Sequence, residues 1–331
     1  MMRLLSRLLY HLDMIIGQRT PRPETIDELL SPEVMRRLDR LDVLSRKVFA
    51  GKLPGERRSK KRGQSVEFED FRPYVAGDDL RHVDWNVYAR LNRLFIKLFR
   101  EEEDLSVVLV LDCSSSMDVG SPSKLIFSHR LAMALGYVAL VNQNRLSAAR
   151  FDHTGRVEQL RPMRGRQSLQ RLGAFLLEGL AATTAAPAEA DLASVVRRIA
   201  AGQGGRGVLI LMSDFLYRSG WTSALNYLAH AGGGFDVTCL QILARGELEP
   251  AREIERGLVG DLRLTDVESG RATEVTVTRD VIRRYEQRLG DLLARLEADC
   301  RARSMRCMLV PSDTDLNQFM LHTLRSRGVV G

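Results

Sequence analysis

The stretch SVVLVLDCSSSM, residues 106–117, decides the fold. Residues 107–111 are apolar without interruption, so they leave no face for water. Such a run reads as a strand covered on both sides, as central strands of parallel sheets are. Burying five side chains of this kind is worth on the order of 8–15 kcal/mol before chain entropy opposes it. The strand then gives way to Asp112, Ser114 and Ser116 at alternating positions. That spacing turns one carboxylate and two hydroxyls to the same side of a loop. In open parallel sheets, ligands bind beyond the carboxyl ends of the strands.

Downstream the pattern alternates between strand and helix. After the Asp-Ser loop, Ser121-Pro122 reads as the cap and first turn of a helix. That helix is apolar nearly all round through Val141, which marks it as buried. RLSAARF and RVEQL read as strands, followed by helices near 166–180 and 191–201. GVLILMSD (207–214) is a second wholly apolar strand, ending in Ser213-Asp214. A helix near 220–231 leads to the strand FDVTCLQIL. Residues 245–278 then interrupt the alternation with two short β-like runs, LRLTDV and TEVTV. A helix over 279–303 carries Ile282, Tyr285, Leu289, Leu292 and Leu296 on one face, and strand MRCMLVP and a helix near 314–326 complete the pattern. The expectation is an α/β fold over 106–331, with a doubly wound, mostly parallel sheet of about six strands and a β insertion at about 245–278.

Upstream, residues 1–32 read as an N-terminal helix and a proline-bearing linker, and 33–105 as a smaller α+β region. In the latter, a helix over 33–49 places Val34, Leu38, Leu41, Leu44 and Val48 on one stripe. Residues 51–65 (GKLPGERRSKKRGQS) form a basic loop, and SVEFEDFRPYV and LFIKLF read as strands. Between them a short helix opens at Asp78 or Asp79, with Leu80, Val83, Val87 and Leu91 facing inward.

Composition narrows the function. Of 331 residues, 44% are hydrophobic and 27% charged, which suits a folded globular chain and excludes disordered and collagen-like classes. The net charge of +7 permits an acidic partner without requiring one. The four cysteines lack paired CxxC spacing, which argues against a zinc site or disulfide framework and for a reducing, cytoplasmic setting. No run of eighteen apolar residues suggests a membrane span. The N-terminal helix, with Leu4, Leu5, Leu8, Leu12, Ile15 and Ile16 on one face, suits packing on protein and permits peripheral membrane contact. The basic run Arg57, Arg58, Lys60, Lys61 and Arg62 has no interleaved aromatics, so nucleic acid is not expected. No GxxxxGK[ST] loop or GxSxG elbow occurs.

The oxygens that remain suit a hard cation. Mg²⁺ takes few carboxylates, with hydroxyls and water, and needs neither His nor Cys; Mn²⁺ or Ca²⁺ are close alternatives. Asp112, Ser114, Ser116 and Asp214 are the candidate ligands. VLDCSSSM resembles the metal-ion-dependent adhesion loop of von Willebrand factor A domains. The stretch 55–104 resembles the signature of the bacterial family known as domain of unknown function 58. Its densest matches are Tyr74, Gly77, Asp78, Asp79, Arg81, Asp84, Trp85, Ala89 and Arg90. The resemblance implies a protein-interaction domain, commonly paired with a MoxR-type AAA+ ATPase in assembling or activating other complexes. It also implies a threonine ligand in a Thr-Asp-Leu context. Here that stretch reads Ala190-Asp191-Leu192, with Thr183 and Thr184 out of register and Asp191 able to act through water.

The reading is therefore a non-enzymatic, cytoplasmic module that binds a partner through a divalent cation. Two alternatives stay open: a scaffold with a vestigial metal site, and a metal-dependent hydrolase. The signature residues 74–90 serve either as a structural ion-pair network or as an interface.

Overall fold

The computed structural model describes residues 20–45, 67–75, 80, 83–100, 105–181, 191–201, 207–217, 220–230, 234–250, 260–265, 272–277 and 279–331. The chain forms two compact units, one of Met1–Ala50 with Leu105–Gly331 and one of Gly51–Asp104. The division thus falls at residues 51 and 104, rather than at 33 and 105. The expected N-terminal helix and the basic run lie outside the described residues, as do Gly77, Asp78, Asp79, Arg81, Thr183, Thr184 and Ala190.

The reason for the different boundary lies in residues 25–44. Helices α1 (Ile26–Leu29) and α2 (Pro32–Leu38) are capped by Thr25 and Ser31. The helix expected to run on to residue 49 ends at Leu38. Beyond it the chain extends and pairs with the carboxyl terminus. The Asp42 amide donates to the Gly331 carbonyl (2.8 Å), the Gly331 amide returns a bond to Asp42 (2.8 Å), and Leu44 donates to Val329 (2.8 Å). Leu29, Leu30, Leu38, Leu41 and Val43 all join the core of the sheet unit, so the segment read as a linker is packed.

The Gly51–Asp104 unit is a hairpin with a helix between its strands. β1 (Glu67–Pro73) and β2 (Phe95–Arg100) pair antiparallel, with an irregularity between Phe68 and Asp70. The helix, α3 (Trp85–Leu91), opens at Asp84 and not at Asp78 or Asp79. The Asp84 carboxylate accepts from the Asn86 (2.8 Å) and Val87 (3.1 Å) amides, the bonds a helix start leaves unmet. Asn92 ends it in the left-handed conformation (φ 50°). Of the side chains expected inward, Val83 is buried and Val87 half-buried, while Leu80 and Leu91 face solvent.

The other unit holds the six-stranded sheet. Its strands are β3 (Ser106–Asp112), β4 (Arg145–Phe151), β5 (Val157–Met163), β6 (Gly207–Ser213), β7 (Phe235–Leu243) and β10 (Arg306–Pro311), in the order β10-β7-β6-β3-β4-β5. All neighbours are parallel except β4 and β5. A separate antiparallel hairpin, β8 (Gly260–Thr265) and β9 (Ala272–Val277), forms the insertion. Alternate residues of β3 enter two cores. Val107, Leu109 and Leu111 meet α4 (Lys124–Val141) and α5 (Leu169–Ala181) on one face. Val108 and Val110 meet α6 (Leu192–Ala200), α7 (Thr222–His230) and α8 (Arg279–Arg301) on the other. This is the doubly wound α/β arrangement. β6 lies against β3 at Gly207, where an added Cβ would stand 1.8 Å from the Ser106 carbonyl oxygen; only glycine permits that approach.

α4 begins one residue pair later than expected, capped by Ser123, whose hydroxyl accepts from the Ile126 amide at 3.2 Å. By length and composition this helix would cross a membrane, but here every residue except Arg130 and Val141 is buried in the protein. The four cysteines are free thiols.

Candidate functional site

β3 and β6 are neighbours, so the Asp-Ser loop after one and the Ser-Asp turn after the other emerge side by side. The four candidate ligands meet there. Asp112 and Asp214 are both buried, Ser114 nearly so and Ser116 half-buried. The Ser114 and Ser116 hydroxyls are 3.0 Å apart, and Ser116 reaches on to the Asp214 carboxylate. A continuous line of oxygens thus joins the two loops.

Local backbone geometry aims each carboxylate. The Ser114 amide folds back onto Asp112 Oδ1 at 2.9 Å. Phe215 adopts a left-handed conformation (φ 57°), an unusual one for a bulky residue, and it turns the chain sharply after β6. Within that turn the Phe215 amide donates to Ser213 Oγ (3.0 Å) and the Leu216 amide to Asp214 Oδ1 (3.0 Å). Gly120 (φ +100°) packs where an added Cβ would lie 2.7 Å from the Ala244 Cβ, holding the loop after β3 against the loop after β7.

The two carboxylates are compensated differently. Asp112 Oδ2 accepts from the Ser213 hydroxyl (2.7 Å) and from the Tyr217 hydroxyl, and these two hydroxyls lie 2.9 Å apart. Among the described residues no ammonium or guanidinium pairs with Asp112. Burial, and then the Asp214 charge, push its carboxyl above the usual carboxylate range, against the pull of its hydrogen-bond donors. Asp214 has a cation of its own. Lys124 is wholly buried, and its Nζ lies 3.0 Å from Asp214 Oδ2 and 2.8 Å from Glu247 Oε1. Burial opposes ionisation of Asp214, but the Lys124 ammonium and the Leu216 amide outweigh it and hold the carboxyl low. Burial likewise opposes the Lys124 charge, and the two carboxylates outweigh it and keep the lysine protonated. Burial raises Glu247, whose Oε2 accepts from the Ala244 amide at 2.8 Å.

The donor set therefore suits a hard cation by its chemistry. Asp112 Oδ1 has spent one lone pair on an amide, the Ser114 and Ser116 hydroxyls adjoin it, and Asp214 stands opposite. A small divalent ion needs such oxygens, and it would supply the positive charge that Asp112 lacks. Among the described residues no group of three or more His, Cys, Asp or Glu side chains forms a metal cluster, so the hydroxyls would be indispensable.

Sequence reasoning missed three residues here. Lys124 and Glu247 back Asp214, and Tyr217 caps Asp112. The amino-terminal segment was missed as well. Arg22 pairs with Asp118 (2.7 Å) and donates to the Leu180 carbonyl (2.6 Å), while the Thr20 and Ser121 hydroxyls are 3.3 Å apart. Asp191 caps α6: its two oxygens accept from the Ala193 (3.2 Å) and Ser194 (3.1 Å) amides. In the Gly51–Asp104 unit, Tyr74 donates its amide to the Leu94 carbonyl (3.0 Å), and Trp85 and Arg90 are exposed. Beside the site, Cys113 Sγ is 3.8 Å from His129 Nε2. Burial raises the thiol and lowers the imidazole to about 4, and both shifts disfavour a thiolate–imidazolium pair.

The chain is 28% identical over 250 residues to the uncharacterized protein Rv1480 of Mycobacterium tuberculosis, covering 74% of each chain, and equally to the uncharacterized protein Mb1516 of Mycobacterium bovis. Among solved structures, the conserved hypothetical protein BatB of Bacteroides thetaiotaomicron is similar at 12% identity and a TM-score of 0.38, over 68% of this chain and 98% of that one. The manganese-loaded TRAP protein of Plasmodium vivax is similar at 17% identity and a TM-score of 0.28, over 42% and 57%. The family model described as "Protein of unknown function DUF58" matches residues 70–291, two thirds of the chain, and the protein belongs to that family.

Proposed function

We propose that this protein is a non-enzymatic interaction module whose sheet unit holds a divalent cation, Mg²⁺ or Mn²⁺, between Asp112, Ser114, Ser116 and Asp214. A carboxylate of a partner protein would complete the coordination. The observation that carries the reading is the convergence of two carboxylates and two hydroxyls at the carboxyl ends of β3 and β6, with no cationic side chain among the described residues paired with Asp112. The ion would supply positive charge and an open coordination position. The protein supplies the rest: Tyr217 and Ser213 orient Asp112, and Lys124 orients Asp214. The partner implied by the family resemblance is a MoxR-type AAA+ ATPase, which fits a chain without a nucleotide loop of its own.

A second reading has its own support. The hydroxyls of Ser213 and Tyr217 already satisfy Asp112 Oδ2, and Lys124 already satisfies Asp214, so the loops are also suited to a metal-free scaffold. Thermal unfolding separates the two. A ligand at ten times its Kd stabilises by about 1.4 kcal/mol. Mg²⁺ or Mn²⁺ should raise the melting temperature of the wild type and leave that of Asp112→Ala unchanged. Identical melting of the wild type in Mg²⁺, Mn²⁺ and EDTA would favour the scaffold. Co-purification with the ATPase, lost in Asp112→Ala, tests the partner.

A further inference from the structure

The Lys124 side chain is wholly buried, and it has two buried carboxylates for company. Its place is informative. It touches Asp214 and Glu247, and its charge is met by those two groups, not by Asp112. It therefore stands behind Asp214 and outside the line of oxygens formed by Asp112, Ser114 and Ser116. Glu247 lies further back still, anchored by the Ala244 amide, with its own carbonyl accepting from the Tyr285 hydroxyl at 2.9 Å. When ionised, three buried carboxylates share one buried ammonium, an excess of two negative charges.

We propose that Lys124 and Glu247 are the specificity-determining pair of the cation site: they set its buried charge, and so match it to a divalent ion. The inference rests on the cation reading of Asp112 and Asp214. Neither residue touches the ion. Lys124 holds Asp214 in place and cancels one carboxylate, and Glu247 cancels Lys124 in turn. In a poorly screened interior each unit of charge acts strongly on an ion nearby, so charge at this distance selects valence as well as affinity.

The charge rule can be separated from a merely structural role because four proteins span three charges. With the carboxylates ionised, as a bound cation favours, wild type carries an excess of two negative charges, Lys124→Met three, Glu247→Gln one, and the double variant Lys124→Met/Glu247→Gln two again. The readout is the ratio of Mn²⁺ to Tb³⁺ dissociation constants, from calorimetry and from Tb³⁺ luminescence sensitised by Tyr217. Relative to wild type, Lys124→Met should shift the preference toward Tb³⁺ by about tenfold or more, and Glu247→Gln should shift it toward Mn²⁺ by a similar factor. The double variant should return to the wild-type ratio. A double variant displaced as far as Lys124→Met would overturn the proposal, and so would one ratio common to all four proteins. If Lys124→Met does not fold, Glu247→Gln and the double variant decide by the same criterion. A folded wild type that binds neither ion would instead sink the cation reading itself, and this inference with it.

Discussion

Lys124→Met in EDTA isolates what the buried lysine does for the fold alone. Methionine keeps most of the unbranched stem, so the change is chiefly electrostatic and little cavity forms. It strands two carboxylates that are 2% and 1% exposed and that lose contacts of 3.0 and 2.8 Å. Removing one partner of a buried ion pair costs about 3–5 kcal/mol, because the remaining charge has no water to solvate it. For a unit of this size, that lowers the melting temperature by roughly 6–20 °C. The double variant Lys124→Met/Glu247→Gln strands only Asp214, so it should be more stable than Lys124→Met. Thermal and urea unfolding followed by circular dichroism measure both. A loss below about 1 kcal/mol for Lys124→Met, the level of an exposed ion pair, would refute the burial on which this reasoning depends.

His129 gives a pH signature. Its imidazole is lowered from 6.5 to about 4 by burial, so the unfolded chain binds more protons between those values. The neutral form's stabilising contribution is intact above pH 6.5 and falls away by roughly 3 kcal/mol as pH drops to 4. The stability difference between wild type and His129→Gln should therefore narrow across that window, and a constant difference would contradict it. Asp191→Ala should cost about 1 kcal/mol through loss of the α6 cap while leaving Mn²⁺ affinity unchanged. Weakened Mn²⁺ binding in a variant of normal stability would instead make Asp191 part of the cation site.

Local patterns carried the sheet, because a fully buried parallel strand is apolar at every position. VVLVL and GVLILM announce themselves, and the oxygens that end them follow directly. What could not be read locally depends on residues distant in the chain. Lys124 stands in Ser-Pro-Ser-Lys, where a lysine in a helix's first turn reads as solvent-facing; its partners lie 90 and 123 positions away. The apolar spacing of 33–49 suits a helix, yet Asp42, Val43 and Leu44 are claimed by pairing with the carboxyl terminus. The helix at 85–91 was misplaced because Asp78, Asp79 and Asp84 are all plausible caps by composition. Only the hairpin contact of Val83 with Ile96 selects Asp84. Trp85, Tyr88 and Leu91 lie outward on that helix, opposite to the burial that hydrophobic periodicity leads one to expect.

The cation itself is the central claim, and anomalous X-ray scattering from crystals grown with Mn²⁺ addresses it without relying on stability or partner binding. The account predicts one strong peak at the manganese edge between the ends of β3 and β6, about 2.1 Å from oxygens of Asp112, Ser114 and Ser116, with Asp214 bound directly or through water. A crystal soaked at saturating Mn²⁺ with no peak at that position, and with the Lys124–Asp214 pair closed as described, would contradict it.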